Sequence, residues 1–253
     1  MTTSNRFDQI DAERIRIVLV CPSHPGNIGA TARAMKTMGL AQLVLVSPKE
    51  YPSAEAVSRA AGADDLLANA RVCDSLEDAV KSCQLVIGTS ARARRIGWPV
   101  LTPKSCAQQL ISGAKDGEVA LVFGRERTGL TNAELDRCHY MVSIPVDPMF
   151  SSLNLAAAVQ IMSYEIRLAA QGAEVDDNSQ EKAARLATQE EMQNFYEHLE
   201  QVLLEIEFLN ADHPRKLMRR LYRLFNRAHV DEREMNILRG ILTAIQHLKK
   251  KNS

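Results

Sequence analysis

Residues 15–46, IRIVLVCPSHPGNIGATARAMKTMGLAQLVLV, contain an apolar run, a glycine-containing turn, a helical pattern and a second apolar run. We predict strands at 15–21 and 42–46 with a helix at 29–38, because short β-branched runs favour strands and the intervening apolar spacing favours a helix. The same alternation predicts strands at 85–88, 119–123 and 141–144 and helices at 54–61, 75–82, 103–111 and 131–138. This pattern predicts an α/β fold, a parallel sheet with helices on both faces.

The composition limits the classes of protein to which the chain can belong. Its 253 residues are 45% hydrophobic, enough for one substantial core or for one core and a small second domain. The 31 basic residues balance 31 acidic ones, so an anionic partner must be bound by a local patch. Five scattered cysteines without a C-x-x-C pair argue against a structural disulfide or metal site and favour the cytoplasm. Residues 1–18 lack the order of a signal peptide and no apolar run is long enough to span a membrane, so we expect a soluble protein.

A second, helical unit follows the alternating region. Residues 171–187 lose the apolar periodicity and gain polar residues, which indicates a linker between a domain at 1–170 and a domain at 188–253. Two helix starts have the cap-x-x-Glu spacing of a capping box, Thr188 with Glu191 and Asp231 with Glu234. Three apolar stripes at helical spacing, the last ending at Leu248, predict a small three-helix domain.

Two common nucleotide-binding motifs are incomplete in this sequence. The turn GRERTGLT has two glycines spaced as in a P-loop, but Leu130 stands where the phosphate-binding lysine is required. The turn GNIG lacks the three glycines of a dinucleotide fingerprint. A nicotinamide oxidoreductase is therefore supported by the alternation of strands and helices alone.

Four turns of unusual composition follow predicted strands at their carboxyl ends, where an open α/β sheet binds its ligand. They are CPSHPGNIGATARAMKTMG, GTSARARR, FGRERTGL and the stretch that begins at Ile144. In the last of them, Ser151 or Ser152 is suited to cap the following helix. A cap needs one residue, so the surplus of Ser151, Ser152 and Asn154 beside two prolines also favours a bound ligand.

Three of these segments resemble the motifs of a known family. GNIGATAR, LVFGRERTGL and IPVDPMFSSLNLAAAVQI are similar, in this order, to the three motifs of the SPOUT, or trefoil-knot, RNA methyltransferases. TSARAR and the helical C-terminal region narrow the resemblance to the bacterial tRNA ribose 2′-O-methyltransferases of that family. It implies a homodimeric enzyme that binds S-adenosylmethionine in a knotted part of the α/β domain. The expected product is a 2′-O-methylated pyrimidine, cytidine or uridine, at position 32 of the tRNA anticodon loop.

The resemblance also implies a role for individual residues. The catalytic set is Arg33, Asn27, Glu126, Ser152 and Asn154. The residues expected to bind S-adenosylmethionine, largely through backbone groups, are Thr89, Ser90, Ala91, Gly124, Ile144, Ser151, Ser152 and Leu153. Without the resemblance, Arg33 would be interpreted as a solvated helix residue and Glu126 as part of a surface charge cluster.

The expected chemistry leaves two roles for Arg33. S-adenosylmethionine already carries an activated methyl group, so the protein has to position it, exclude water and help the ribose 2′-hydroxyl to lose its proton. A guanidinium stays protonated and is a poor general base. Arg33 either stabilises the developing alkoxide and grips the adjacent phosphate, or accepts the proton in an unusual environment.

Two clusters of basic residues are candidates for contacts with tRNA phosphates. They comprise Arg92, Arg94, Arg95 and Arg125 in the first domain, and Lys216, Arg220, Arg223 and Arg227 in the second. The second cluster has the four-three-four spacing of one helical face. A basic amphipathic helix can also lie on a membrane, but here two companion helices are available to bury its apolar stripe. The first cluster is equally compatible with a solvated loop.

Two other functions remain as alternatives. One is methylation of ribosomal RNA ribose by a related enzyme, which would be expected to carry a different RNA-binding extension. The other is a catalytically inactive RNA-binding module, against which the presence of Asn27, Arg33, Glu126 and Asn154 argues. Assays on both RNAs separate these possibilities.

Overall fold

The fold is known from a computed structural model, which describes residues 12–90, 99–172, 185–209 and 215–252. The chain divides into two compact units, Met1–Val175 and Asp176–Ser253. Each unit has its own hydrophobic core and is described by itself.

The first unit is built on a seven-stranded sheet in which every pair of neighbours is parallel. Its strands are β1 (Ile15–Val20), β2 (Gln42–Val46), β3 (Arg71–Cys73), β4 (Leu85–Thr89), β5 (Val100–Leu101), β6 (Val119–Phe123) and β7 (Tyr140–Val142). They lie in the order β3-β2-β1-β6-β4-β7-β5. β1 and β6 are buried along their whole length, as expected for strands covered on both faces. The predicted parallel α/β sheet is confirmed.

Helices cover both faces of this sheet. They are α1 (Pro25–Thr37), α2 (Ala54–Ala60), α3 (Asp64–Ala68), α4 (Leu76–Val80), α5 (Pro103–Asp116), α6 (Asn132–Leu135) and α7 (Leu155–Gly172). One core layer includes side chains of α1, α2, α3, α5 and α7, and the other includes those of α4 and α6. Ser75 caps α4 by accepting a hydrogen bond from the Asp78 backbone N–H.

The start of α1 differs from the prediction and changes the setting of the first motif. The sequence predicted a helix from residue 29, but α1 begins at Pro25. Proline is favoured in the first turn of a helix because its fixed φ is already helical and its missing N–H is not needed there. Asn27 therefore lies in the first helical turn instead of in a preceding loop.

A glycine allows α1 to pack closely against α2. A Cβ atom on Gly29 would lie 2.0 Å from the carbonyl oxygen of Ala56, much closer than any side chain can approach. The second glycine of GNIG therefore allows the two helices to come close together. This contact helps to fix the position of α1.

The second unit contains the three predicted helices. They are α8 (Gln189–Glu205), α9 (Arg215–Ala228) and α10 (Glu232–Asn252). Both predicted capping boxes are present, with Thr188 paired to Glu191 and Asp231 paired to Glu234. The core includes Phe195, which meets Phe225 edge to face at a centroid distance of 4.9 Å.

Three residues of the predicted apolar stripes of the second unit are exposed. Ile206, directly after α8, keeps 40% of its surface in solvent, Leu224 on α9 keeps 46% and Leu248 on α10 keeps 63%. The predicted stripes are therefore only partly buried within this unit. Among the described residues, no helix is both long and apolar enough to cross a membrane.

Candidate active site

The carboxyl ends of four adjacent strands meet at one edge of the sheet. In the sheet order, β1, β6, β4 and β7 are consecutive neighbours and all point the same way. The four unusual turns of the sequence follow these four strands, so the described parts of the turns begin at the same edge of the sheet, as predicted. Residues 91–98, which contain most of the GTSARARR turn, lie outside the described residues.

The carboxylate of Glu126 is the centre of the hydrogen-bond network at this edge. It accepts bonds from the Ser23 backbone N–H at 3.1 Å, from the Ser23 hydroxyl at 2.9 Å and from the His24 backbone N–H at 3.4 Å. It also accepts a bond from the Asn27 side-chain amide at 3.1 Å. Glu126 therefore joins the turn after β6 to the N-terminus of α1.

Glu126 lies at the N-terminus of α1 and binds the residues that lead into the helix. His24 occupies the N-cap position but makes no side-chain capping bond. The N-terminus of a helix carries unpaired N–H groups and a partial positive charge, both of which favour an anion. Partial burial of Glu126 raises its pKa, but hydrogen bonds from backbone and side-chain donors, including Asn27 and Ser23, outweigh burial and lower the pKa below its usual value. The carboxyl group is thus held as an anion.

The network continues from Asn27 to the third motif. The side-chain oxygen of Asn27 accepts a hydrogen bond of 2.9 Å from the amide of Asn154. The side-chain oxygen of Asn154 then accepts bonds from the backbone N–H groups of Ala156 and Ala157. Glu126, Asn27 and Asn154 therefore form one chain of contacts through all three sequence motifs.

Asn154, and neither serine, caps the helix that follows the third motif. The prediction that Ser151 or Ser152 caps this helix is wrong, because α7 begins only at Leu155. Both serines lie too far before the first helical turn, whereas Asn154 is adjacent to it. Ser151 and Ser152 instead line a cavity.

The cavity lies beside this network and is formed by the turns after β4, β6 and β7. Its lining includes most of the residues predicted to bind S-adenosylmethionine: Thr89, Ser90, Gly124, Ile144, Ser151, Ser152 and Leu153. Ala91, the remaining member of that set, lies outside the described residues. The lining also includes Glu126, which was predicted as catalytic, and Arg125, which was predicted as an RNA contact. The lining residues that were not predicted are Phe123, Arg127, Thr128, Gly129, Val142, Val146, Leu155 and Ala158.

Gly124 allows the turn after β6 to fold back on itself at the cavity wall. A Cβ atom at this position would lie 2.2 Å from the carbonyl carbon of Gly129 and 2.3 Å from the backbone nitrogen of Leu130. These are backbone atoms, so the clash cannot be relieved by a side-chain rotation. The backbone N–H of Gly129 donates to the carbonyl of Arg125 at 2.8 Å and closes the turn.

We expect Gly124→Ala to lower the free energy of unfolding by more than about 3 kcal/mol, because relief of the clash requires the turn to open. The matched control is Gly172→Ala, where an added Cβ meets no atom within 4 Å and stability should change by less than about 0.5 kcal/mol. Chemical denaturation of the two variants measures both values. Equal stability of the two variants would show that the turn tolerates a side chain.

Arg125 is used within the fold in a way that the sequence did not reveal. Its guanidinium donates to both carboxylate oxygens of Glu134 at 3.0 Å and to the sulfur of Cys21 at 3.3 Å. Glu134 also completes a capping box with Thr131 at the start of α6. The structure therefore gives Arg125 an internal role, whereas the neighbouring Arg127 is exposed.

Arg33 does not line the cavity of its own chain. It lies on α1, six residues after Asn27, and its side chain is exposed. Six residues turn a helix by about 600°, so the two side chains leave the helix about 120° apart and about 9 Å apart along its axis. The predicted catalytic arginine is therefore not part of the cavity wall that its own chain forms.

The comparisons with known proteins agree with the three motifs. Residues 14–164 match the SpoU rRNA methylase family, and residues 190–253 match the C-terminal domain of the tRNA methyltransferase TrmJ. The chain belongs to the SpoU methylase family. The two family matches fall in the two structural units.

Full-length relatives of this SpoU methylase are similar over nearly the whole chain. The tRNA (cytidine/uridine/adenosine-2′-O-)-methyltransferase TrmJ of Pseudomonas aeruginosa is 53% identical, over 94% of this chain and 96% of the relative. The tRNA (cytidine/uridine-2′-O-)-methyltransferase TrmJ of Sodalis glossinidius is 51% identical, over 93% of this chain and 92% of the relative. The crystal structure of TrmJ from Zymomonas mobilis covers 91% of this chain and 98% of its own, with a TM-score of 0.79 and 34% identity.

Ser23 is a site residue of this SpoU methylase that sequence reasoning missed. Its backbone N–H and hydroxyl both bind Glu126, yet in the sequence it is an ordinary serine between two prolines. Its partner lies 103 residues away along the chain. The parallel pairing of β1 with β6 brings the two residues together, and the sequence does not reveal this pairing.

Proposed function

We propose that this protein transfers a methyl group from S-adenosylmethionine to the 2′-hydroxyl of a pyrimidine ribose at position 32 of the tRNA anticodon loop. The observation that carries the proposal is the similarity to TrmJ enzymes through both units, at about half of all positions. These relatives are tRNA 2′-O-methyltransferases, which is the basis for the proposed tRNA substrate and the 2′-oxygen. Position 32 comes from the resemblance of the motifs.

The lining of the cavity fits the proposed cofactor. The side chains of Val142, Ile144 and Leu155 offer an apolar surface for a flat ring. Ser151 and Ser152 add hydroxyl groups, and the carboxylate of Glu126 is an anion beside them. S-adenosylmethionine has an adenine ring, ribose hydroxyls and a positive charge, and when bound it supplies an activated methyl group.

The protein contributes to the reaction by holding the acceptor ribose in a fixed position relative to the cavity. The chain of contacts from Glu126 through Asn27 to Asn154 fixes the relative positions of α1 and the loop before α7. Fixed positions contribute to rate because they reduce the entropy lost on reaching the reactive geometry. Arg33 is assigned to the acceptor, where a guanidinium stabilises the developing alkoxide and the adjacent phosphate.

We propose further that the active form is a homodimer. Arg33 is exposed on α1 and does not line the cavity of its own chain, which leaves it available to the cavity of a second copy. An exposed apolar strip supports this assembly, since Leu153, Tyr164 and Leu168 keep 37%, 49% and 43% of their surface in solvent. Tyr164 and Leu168 are four residues apart on α7 and share one helical face.

We expect Leu168→Arg to separate the two copies and to abolish methyl transfer, because it introduces a charge into the proposed apolar contact. Analytical ultracentrifugation measures the assembly, and transfer of labelled methyl groups measures activity. Val57→Arg, at an equally exposed position on α2, is the control and should remain dimeric. A monomeric Leu168→Arg protein with wild-type activity would contradict the proposed coupling.

We assign the basic face of α9 to the phosphates of tRNA. The helix carries five arginines and one lysine and no acidic residue. Arg220 and Arg227 are exposed and Arg223 is half-buried, while the side chain of Lys216 lies outside the described residues. Arg92, Arg94 and Arg95 also lie outside them, so their assignment to RNA stays a prediction.

All five cysteines are free, which suits an enzyme that acts on tRNA in the reducing cytoplasm.

Replacement of Arg220, Arg223 and Arg227 by alanine should weaken tRNA binding and reduce its salt dependence. Each lost phosphate contact lowers the slope of log affinity against log salt by about 0.7 to 0.9, so we expect a total reduction of about two to three. Fluorescence anisotropy with labelled tRNA at several salt concentrations measures the slope. Arg233→Ala with Arg239→Ala, two exposed positions on α10, is the control. An unchanged slope in the triple variant would exclude this face as a main contact.

The assay that tests the proposed function compares two RNAs. Unmodified tRNA and ribosomal RNA are incubated separately with the protein and labelled S-adenosylmethionine. We expect methyl transfer to tRNA alone. Transfer to ribosomal RNA alone would favour the related ribosomal enzyme, and binding of tRNA without any transfer would favour an inactive RNA-binding module.

A further inference from the structure

The loop between β7 and α7 holds two large apolar side chains in solvent at the edge of the cavity. Met149 is 94% exposed and Phe150 is 81% exposed, the two largest values among the exposed large apolar residues of the described chain. On either side of them, Val146 and Ser151 line the cavity. The two exposed residues therefore form the tip of a loop whose two arms are part of the cavity wall.

The tip is a defined turn in which hydrogen bonds fix the backbone. The carboxylate of Asp147 accepts a bond of 2.7 Å from the Met149 backbone N–H, and the Asp147 carbonyl accepts a bond of 3.1 Å from that of Phe150. Aspartate commonly holds a turn in this way. Pro145 and Pro148 restrict the same segment further. The exposure of Phe150 is thus built into the fold of the loop.

Burial of a phenylalanine side chain is favourable by about 1.5 to 3 kcal/mol. In the free chain, the turn keeps Phe150 in water, so the side chain does not contribute this stabilisation. The side chain would contribute it when a flat apolar surface covers the ring. The position of the turn at the cavity edge indicates that the covering surface arrives with the substrate.

The composition of the loop identifies the part of a nucleotide that it can contact. From Ile144 to Asn154 the sequence is IPVDPMFSSLN, and Asp147 is its only charged residue. A segment without a cation lacks the charge that dominates phosphate binding, whereas an aromatic ring stacks well on an unpaired base. A base is attached to the ribose carbon next to the one that bears the 2′-hydroxyl, so it must lie near the site of methyl transfer.

We propose that Phe150 stacks on the base of the nucleotide whose ribose is methylated. This inference rests on the proposed function and adds the residue that receives the base. Stacking of a base on an aromatic side chain contributes about 1 to 3 kcal/mol. It tolerates different bases because every base has a flat face, so it positions cytidine and uridine alike and leaves their discrimination to other groups.

The first test compares four substitutions in the full-length protein with unmodified tRNA transcript and S-adenosylmethionine. We expect Phe150→Ala to raise the KM for tRNA about 5- to 150-fold, the range that corresponds to the loss of one stacked base. Phe150→Leu keeps an apolar side chain without the aromatic face and should raise the KM for tRNA to a similar extent. Phe150→Tyr keeps the ring and should have a KM close to that of the wild type. Met149→Ala is the matched control, since Met149 is even more exposed in the same turn but has no ring.

A spectroscopic test reports stacking directly. A tRNA that carries fluorescent pyrrolocytidine at position 32 should change its emission when it binds the wild-type protein or Phe150→Tyr. The change should be absent with Phe150→Ala at a protein concentration that saturates the RNA. Calorimetry should show the same affinity for S-adenosylmethionine in all variants, because Phe150 is not among the residues that line the cavity.

Three results would overturn the inference. If Phe150→Leu had the same KM and the same change in emission as the wild type, no aromatic ring would be required. Dissociation of the Phe150→Ala dimer in the ultracentrifuge would show that the ring packs against a second copy of the chain. A parallel loss of S-adenosylmethionine affinity would place Phe150 in the cofactor site. Failure of the wild-type protein to methylate tRNA would instead refute the proposed function, so the two failures are distinguishable.

Discussion

Arg33→Ala should reduce the single-turnover rate of methyl transfer about 100- to 1,000-fold while the affinity for S-adenosylmethionine stays unchanged. The rate should fall because the variant lacks the group assigned to the developing alkoxide, and loss of one such donor costs enzymes about this factor. The cofactor affinity should persist because Arg33 is assigned to the acceptor ribose and its phosphate, and not to S-adenosylmethionine. Rapid quenching with labelled cofactor measures the rate, and calorimetry measures the affinity.

Two further variants make this result specific. Arg33→Lys keeps the charge but loses the planar pair of donors, so activity close to wild type would exclude any role that depends on the guanidinium fork. Arg59→Ala removes an exposed arginine of α2 and should leave the rate unchanged. A wild-type rate in Arg33→Ala would contradict the assignment of Arg33 to the reaction.

Glu126→Ala should destabilise the first unit and abolish cofactor binding. Four donors, from Ser23, His24 and Asn27, point at this carboxylate and would lose their acceptor. Unsatisfied groups of this kind cost about 1 to 3 kcal/mol each when buried, and partial exposure of the site should keep the total near about 3 kcal/mol. For a chain of this size we expect the melting temperature to fall by about 6 to 12 °C. Differential scanning calorimetry measures the shift, with Glu13→Ala at an exposed position as control.

The pH dependence of this effect follows from the lowered pKa of Glu126. A carboxyl group whose pKa is lower in the folded than in the unfolded state stabilises the fold above its ordinary pKa of about 4.5. That contribution is lost as the pH falls through the lower, folded pKa. The stability difference between the wild type and Glu126→Gln should therefore be constant at neutral pH and shrink below about pH 4.5. A difference that persists unchanged at pH 3 would contradict the assignment of an ionised Glu126.

Much of the first unit could be predicted because its strands are buried on both faces. β1, β2, β4 and β6 are continuous apolar runs, and this pattern has few other interpretations. The strands at 71–73 and 100–101 were missed because three and two residues at the sheet edges carry no pattern of their own. The order of the strands could not be predicted from the sequence either, because it depends on the crossover connections between them. The trefoil knot was predicted from the resemblance alone, because threaded connections are rare.

The site was predictable in its parts but not in its contacts. Resemblance selected Asn27, Glu126 and Asn154, and the structure joins these three side chains in one network. It did not indicate that Glu126 accepts hydrogen bonds from Ser23 and His24, because that contact depends on the pairing of β1 with β6. It also did not indicate that Arg125 donates to Glu134, because that contact depends on the conformation of the turn after β6.

The most direct test of the account is mass spectrometry of oligonucleotides from unmodified tRNA after incubation with the protein and S-adenosylmethionine. Parallel samples contain cytidine, uridine or adenosine at position 32, and Arg33→Ala serves as the inactive control. We predict one added methyl group on the ribose at position 32 of the pyrimidine-containing tRNAs with the wild-type protein only. A methyl group on a base, at another position, or formed equally by Arg33→Ala would contradict the account.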